Sequence, residues 1–175
     1  MDDVRHVVRR PLAALLPWAG LVALCGALGT IVRAVLETAH PAAEHGFPWT
    51  TWTINMVGSF LLGVLQEALA LSGPDSGWRK AVRIGAGTGV IGGFTTYSTF
   101  VLESDRLLTG SGAQFGLGVV YVVGSVLVGL FCAALGMEAG RAGVRSLSPH
   151  TATPVSGGSE PATPGRPASA EGATR

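Results

Sequence analysis

The sequence predicts an all-α membrane protein of four transmembrane helices, with the third helix broken mid-membrane. Three observations predict it. Of the 175 residues 47% are hydrophobic and 13% charged, where a soluble domain carries about a quarter charged, and the mean hydropathy is positive. The apolar residues gather into four segments of the roughly 20 residues a helix needs to cross the hydrocarbon core, with short Pro- and Gly-bearing connections between them. Residues 92–100, Gly-Gly-Phe-Thr-Thr-Tyr-Ser-Thr-Phe, then put the hydroxyls of Thr95, Thr96, Ser98 and Thr99 in the middle of the third segment. Polar or interrupted backbone at that depth is tolerated only against protein or a water-lined cavity.

The first helix is expected at about 18–36, after an N-terminal cytoplasmic segment, 1–17. Arg9 and Arg10 ahead of an apolar stretch resemble a secretory signal, and Leu24-Cys25-Gly26 hints at a lipoprotein cleavage site. Leu24 is large where a small residue is wanted, and further hydrophobic spans follow, so the stretch reads as a retained helix. The second helix is expected at 52–71, the third at 81–108 and the fourth at 115–137. Their connections carry Pro41 and Pro48, then Ser72, Gly73, Pro74 and Asp75, then Gly110 and Gly112. Trp18, Trp49, Trp52 and Trp78 fall near predicted ends, where aromatic rings anchor a protein at the interface. Residues 18–140 thus form the transmembrane domain. From 141 to 175 the chain turns to Ser, Thr, Pro, Gly and Ala, a composition that cannot bury a core and predicts a disordered tail.

Several function classes are excluded. A net charge of +1 without a basic cluster does not suggest nucleic acid. Cys25 and Cys132 lie within apolar segments and read as buried free thiols, short of a disulfide framework or a zinc site. His6, His40, His45 and His150 lie outside the spans, and no nucleophile–base pair appears, so the chain is not read as an enzyme. Gly87, Gly89 and Gly92 match a dinucleotide fingerprint as a bare pattern, yet no strand precedes them. Gly85, Gly89 and Gly93, four apart, read better as a helix face that lets a partner backbone approach closely.

The polar residues inside the spans form four groups. Arg33 and Glu37 stand four apart near the end of the first helix, either an end-of-helix pair or, for Arg33, a cation that attracts anions. Asn55 and Ser59 share a face of the second helix. The third group is the 95–99 run with Tyr97 and Phe100, followed by Glu103 and Asp105. The fourth is Tyr121 and Ser125, with Gly129 on the same stripe. Asn55, the hydroxyl run and the Tyr121–Ser125 stripe are donors without a fixed negative charge, as an anion pathway requires, whereas a cation pore more often shows carboxylate rings or a carbonyl filter. Taking a carboxylate-sized ion into a dry medium costs on the order of 20 kcal/mol, so its water must be replaced donor by donor. The positive edges of aromatic rings contribute to this.

At these residues the chain resembles the Fluc-type fluoride channels, the CrcB family. The resemblance covers about residues 20–140 and rests on an ordered set: Gly26-Ala-Leu-Gly-Thr-Ile-Val-Arg33, Thr53-Ile-Asn-Met-Val-Gly-Ser-Phe-Leu-Leu-Gly63, the 92–100 run with Glu103, and Tyr121, Ser125 and Gly129. It implies a dimer of two four-helix subunits inserted antiparallel in a bacterial inner membrane, of dual-topology type, with two fluoride pores along the interface. In that likeness Asn55 is the pore asparagine, Tyr97 and Phe100 stand for paired phenylalanines whose ring edges face the ion, and Ser98 and Thr99 form a hydroxyl track. Tyr121 and Ser125 line the path, Glu103 is a pore-side acid and Arg33 a vestibule arginine. The likeness further implies a structural, untransported sodium ion bound by backbone carbonyls at the helix break, where Gly92 and Thr95 fall. Two departures stand out: Tyr97 replaces the first phenylalanine, and Gly129 replaces a serine.

With four spans, the termini and the second connection share one side, which carries Arg5, Arg9, Arg10, Arg79, Lys80, Arg83, Arg141 and Arg145. The other side has Arg33 and Arg106. Such a bias places the termini in the cytoplasm, whereas a homodimer of both orientations needs a weak bias. The partner is therefore either a second copy or an oppositely oriented homologue. The competing transport reading, a small four-helix multidrug-type antiporter, needs a carboxylate midway along the first helix. This chain offers there only Glu37, near the end.

Overall fold

A computed structural model describes residues 2–43 and 46–147, with side chains from residue 15 onward. The regular elements among these residues are helices: α1 (Asp2–Ala39), α2 (Trp49–Leu71), α3 (Gly77–Val82), a π-helical stretch (Arg83–Ile91), α4 (Gly92–Phe94), α5 (Ser98–Leu108) and α6 (Ala113–Leu147). Three of them are long and apolar enough to cross a membrane: α1 from Leu15, α2 and α6. The remaining expected span is not one helix. α3, the π-helical stretch and α4 run together from 77 to 94, the backbone becomes extended at Thr95 (φ −74°, ψ 156°), and α5 starts at Ser98.

Two expected boundaries are corrected. α1 begins at Asp2, so the described part of the 1–17 segment is helix continuous with the first span. α6 continues to Leu147, so residues 141–147 are helix and not tail. Hydropathy marks where lipid contact ends; it does not mark where backbone hydrogen bonding ends. At the end of α6 the helix is held by ion pairs: Arg141 meets Glu138 at 2.6 Å and Glu67 of α2 at 2.7 Å. Residues 148–175, the rest of the expected tail, lie outside the described residues.

The helices pack in two intimate pairs, α6 along α2 and α1 along the π-helical stretch and α4. In lipid, apolar side chains gain nothing by leaving the bilayer for one another's company, so close backbone approach between small residues drives helix pairing. The expected Gly85–Gly89–Gly93 face is where α1 docks: Gly93 lies against Gly26, Gly89 against Cys25, and Gly85 faces the Cys25 Sγ. On α6, Gly136 and Gly140 lie against the α2 backbone at Phe60 and Val64 in the same way. Few apolar side chains are buried (Ile54, Met56, Ile91, Leu107 and Tyr121 form the apolar core), while Leu24, Leu127, Leu130 and many others point outward. An outward apolar coat is what a bilayer solvates, and the fold is that of a membrane protein.

Candidate ion pathway

The break at residues 95–97 organises the polar residues. Where α4 stops, the peptides that follow lose their helical partners and need others. The Thr95 N–H and Oγ1 both turn back to the Ile91 carbonyl, at 2.9 and 3.0 Å. Asn55 takes both backbone groups of the next residue: its Nδ2 donates to the Thr96 carbonyl at 3.0 Å and its Oδ1 accepts the Thr96 N–H at 2.9 Å. The Thr96 hydroxyl then caps α5, accepting the Thr99 N–H at 3.2 Å and donating to the Thr99 Oγ1 at 3.0 Å, with the Ser98 Oγ 3.4 Å away. A side-chain oxygen accepting an N–H three residues on is the usual start of a helix. Here it also gathers three hydroxyls at one point.

Beside the break lies an open groove of about 430 Å³ between α2, the π-helical stretch and α6. Asn55, Thr95, Tyr97, Phe100 and Ser125 line it, and so do Ser59 and Gly92. Its wall contains no carboxylate among the described residues. The Ser125 Oγ is buried and has no hydrogen-bond partner among them. Tyr97 is 80% exposed, with its ring 6.4 Å from that of Phe100. Gly129 also lines the groove and offers no side-chain donor there.

Glu103 and Tyr121 stand elsewhere. Tyr121 is fully buried and its hydroxyl donates to the Glu103 Oε2 at 2.8 Å, while the Thr51 hydroxyl donates to the Oε1 at 2.9 Å. Glu103 lines a second cavity of about 550 Å³, shared with Arg106 and the connection before α2. Phe100 packs on Tyr121 at 5.2 Å and Tyr121 on Phe47 at 5.3 Å. Phe100, which lines the groove, and Tyr121, which is bonded to Glu103, thus link the two sites through their rings. Tyr121, expected to line the path with Ser125, donates its hydroxyl to Glu103 and packs its ring on Phe100.

Arg33 lines neither cavity. Its Nε donates to the Gly93 carbonyl at 3.3 Å and its Nη1 to Glu37 at 3.1 Å, with the Thr30 hydroxyl 3.4 Å from the same carbonyl. A guanidinium there meets the negative end of a helix that stops early. The groove therefore joins Asn55, Tyr97, Phe100 and Ser125; Ser98 and Thr99 adjoin it through Thr96; Glu103 and Tyr121 form a separate pair. Thr51 is a participant that the sequence reading did not single out, while Thr96 stood in its hydroxyl run without a role of its own. Thr51 had a signal, since it lies four residues before Asn55 and eight before Ser59, on one helix stripe.

Residues 20–137 match the family described as CrcB-like protein, Camphor Resistance (CrcB). The chain is 44% identical over 126 residues to the fluoride-specific ion channel FluC 1 of Cutibacterium acnes, covering 71% of this chain and 82% of that one. It is 46% identical over 121 residues to the fluoride-specific ion channel FluC of Deinococcus radiodurans, covering 68% and 91%. With a fluoride-specific ion channel FluC of Thermus thermophilus it shares 42% over 123 residues, covering 70% and 94%. A family match over well more than half of the chain, with relatives at this identity, makes the chain a member of the CrcB family.

Proposed function

We propose that the chain is a subunit of a passive, fluoride-selective channel of the bacterial inner membrane that lets fluoride trapped in the cytoplasm leave the cell, lowering its toxicity. Hydrogen fluoride crosses membranes from acidic surroundings and ionises at cytoplasmic pH, so a passive path for the anion suffices. The observation that carries this reading is the donor-lined groove without a carboxylate, in which the buried Ser125 Oγ has no partner of its own. A buried hydroxyl left unpaired costs about 1–3 kcal/mol, and an anion in the groove is the partner that relieves it. The names of the relatives supply the ion.

Each residue then has a task that its position supports. The Tyr97 and Phe100 ring edges and the Ser125 hydroxyl replace water around the ion, while Asn55 and the Thr96–Ser98–Thr99 cluster hold the break in shape. Glu103, held by Thr51 and Tyr121, sits at the wider cavity as the pore-side acid. Arg33 adds positive charge close to the break. The groove is open on one side and Tyr97 projects from it, which suits closure by a second, antiparallel subunit. Gly92 and Thr95 fit a structural sodium ion, because neither carbonyl accepts a hydrogen bond among the described residues. Such an ion supplies fixed positive charge to those carbonyl oxygens and is not transported.

Efflux from fluoride-loaded liposomes carrying the purified chain tests the function, with chloride as control. Fast fluoride-only efflux supports it; silence from the chain alone and from the chain co-expressed with a homologue refutes it. Tags on the termini test the partner: equal numbers on both faces of the membrane mean a homodimer, and one-sided tags mean an oppositely oriented homologue. Replacing sodium by a large organic cation is expected to lower the thermal stability of the assembled dimer, and an unchanged midpoint argues against the ion.

A further inference from the structure

One turn beyond Asn55, the same face of α2 carries a hydroxyl that the pathway has so far left without a task. We propose that Ser59 is a further ion-contacting residue, the donor that carries the anion past Gly129. The proposal rests on the fluoride-channel reading of the groove and adds one contact to it.

The packing of α2 on α6 sets the level of each donor. Gly129 lies beside Met56 and Ser59, Gly136 beside Phe60 and Val64, and Gly140 beside Val64 and Glu67. The two helices therefore run in the same direction, and steps of four residues climb both together, about 6 Å at a time. Thr51, Asn55 and Ser59 mark the rungs on α2, and Tyr121, Ser125 and Gly129 mark them on α6. At the first rung both hydroxyls are given to Glu103. At the second, Asn55 is committed to Thr96 and the Ser125 Oγ has no partner. At the third, Gly129 has no side chain to offer, and the Ser59 Oγ lies 3.8 Å from where a Gly129 Cβ would stand.

The Ser59 hydroxyl is uncommitted. A serine or threonine inside a helix can return its hydroxyl to the carbonyl four residues back, as Thr38 does to Ala34 and Ser104 to Phe100, each at 2.7 Å. Ser59 makes no such bond among the described residues. It is half-buried and lines the groove with Ser125 and Gly129. Each rung inside the groove thus has one free hydroxyl, first from α6 and then from α2. The wall near Gly129 is otherwise Met56 and, further along α2, Leu62, and neither donates. An ion moves through a pore where successive sites each replace part of its water and none holds it too firmly. Ser59 supplies the site that follows Ser125.

The test is fluoride efflux from liposomes, with the full chain alone and co-expressed with a homologue. Ser59→Ala is expected to slow fluoride efflux about tenfold, the scale of one hydrogen bond to a charged partner, with the thermal unfolding midpoint unchanged. Gly129→Ser provides a readout that a structural role would not move. Its Cβ would meet the Met56 Cε at 3.5 Å and the Ser59 Oγ at 3.8 Å, ordinary contacts that the groove admits. Combined with Ser59→Ala, it returns a hydroxyl to the same rung and is expected to restore most of the lost rate. A conducting parent chain whose Ser59→Ala variant conducts equally fast overturns the assignment of Ser59 and leaves the channel reading intact. So does a slowed Ser59→Ala variant that Gly129→Ser fails to restore. A parent chain silent in both assemblies refutes the fluoride reading, and the role of Ser59 falls with it.

Discussion

Asn55 and Ser125 share the groove, yet they stand in opposite states. Both hydrogen-bonding ends of the Asn55 amide are used by the Thr96 backbone, while the Ser125 hydroxyl is buried and unpaired. Their replacement should therefore separate structure from transport. Asn55→Ala strands partly buried backbone groups and is expected to cost about 1–3 kcal/mol, read as a lower unfolding midpoint together with lost efflux. Ser125→Ala removes an unpaired donor, so stability should hold or rise. If that donor meets the ion, fluoride efflux should fall by about tenfold or more, since a hydrogen bond to a charged partner contributes about 1.5–3 kcal/mol. A Ser125→Ala channel that conducts at the original rate would remove Ser125 from the path. Tyr97 permits a third comparison: Tyr97→Phe keeps the ring edge and discards the hydroxyl, and unchanged efflux would assign the work to the edge.

At the scale of elements, the break works because α1 holds the helix that precedes it at backbone distance. The Cβ of an alanine at position 93 would fall on the Gly26 carbonyl, with the Gly26 Cα 3.1 Å away. Gly93→Ala is accordingly expected to destabilise by about 1–3 kcal/mol through overpacking. Gly143→Ala, which meets nothing within 4 Å, should gain up to about 1 kcal/mol of helix preference. Equal midpoints for the two variants would mean that the α1 contact does not hold the break. The turn between α2 and α3 gives a pH signature. Asp75 has its pKa lowered in the folded chain, chiefly by the hydrogen bond from Arg83. Its contribution is therefore fully present above the ordinary value of 3.8 and is lost as pH falls through the lowered one. The pair is exposed, so the effect is small. A stability profile of Asp75→Asn in acid should be flatter than that of the parent chain, and parallel profiles would show the pair to be idle.

At the scale of the whole molecule, the four-span reading of the sequence places Arg79, Lys80, Arg83, Arg141 and Arg145 on one side with the N-terminal arginines, against Arg33 and Arg106 opposite. Lys80→Gln combined with Arg145→Gln is expected to move terminal tags toward both faces of the membrane, because orientation follows the Lys/Arg difference between sides. Tags that stay one-sided would show that these two cations do not set the insertion.

By itself the sequence determined the membrane class, three continuous helices, the position of the break and the donor character of the groove. Each of these is written locally, in runs of apolar residues or in polar residues placed where lipid forbids them. It misjudged where α1 begins and where α6 ends, because composition changes at the membrane surface while helical hydrogen bonding continues beyond it. It could not assign partners. Asn55 and Thr96 lie 41 residues apart, Thr51 and Glu103 are 52 apart, and Tyr121 and Glu103 are 18 apart. Tertiary packing alone decided that Asn55 clamps the break, that Tyr121 turns its hydroxyl to Glu103 and its ring to Phe100, and that Ser125 is left with no partner. A hydrogen bond is specific to within a few tenths of an ångström, and only the docked helices fix positions that finely.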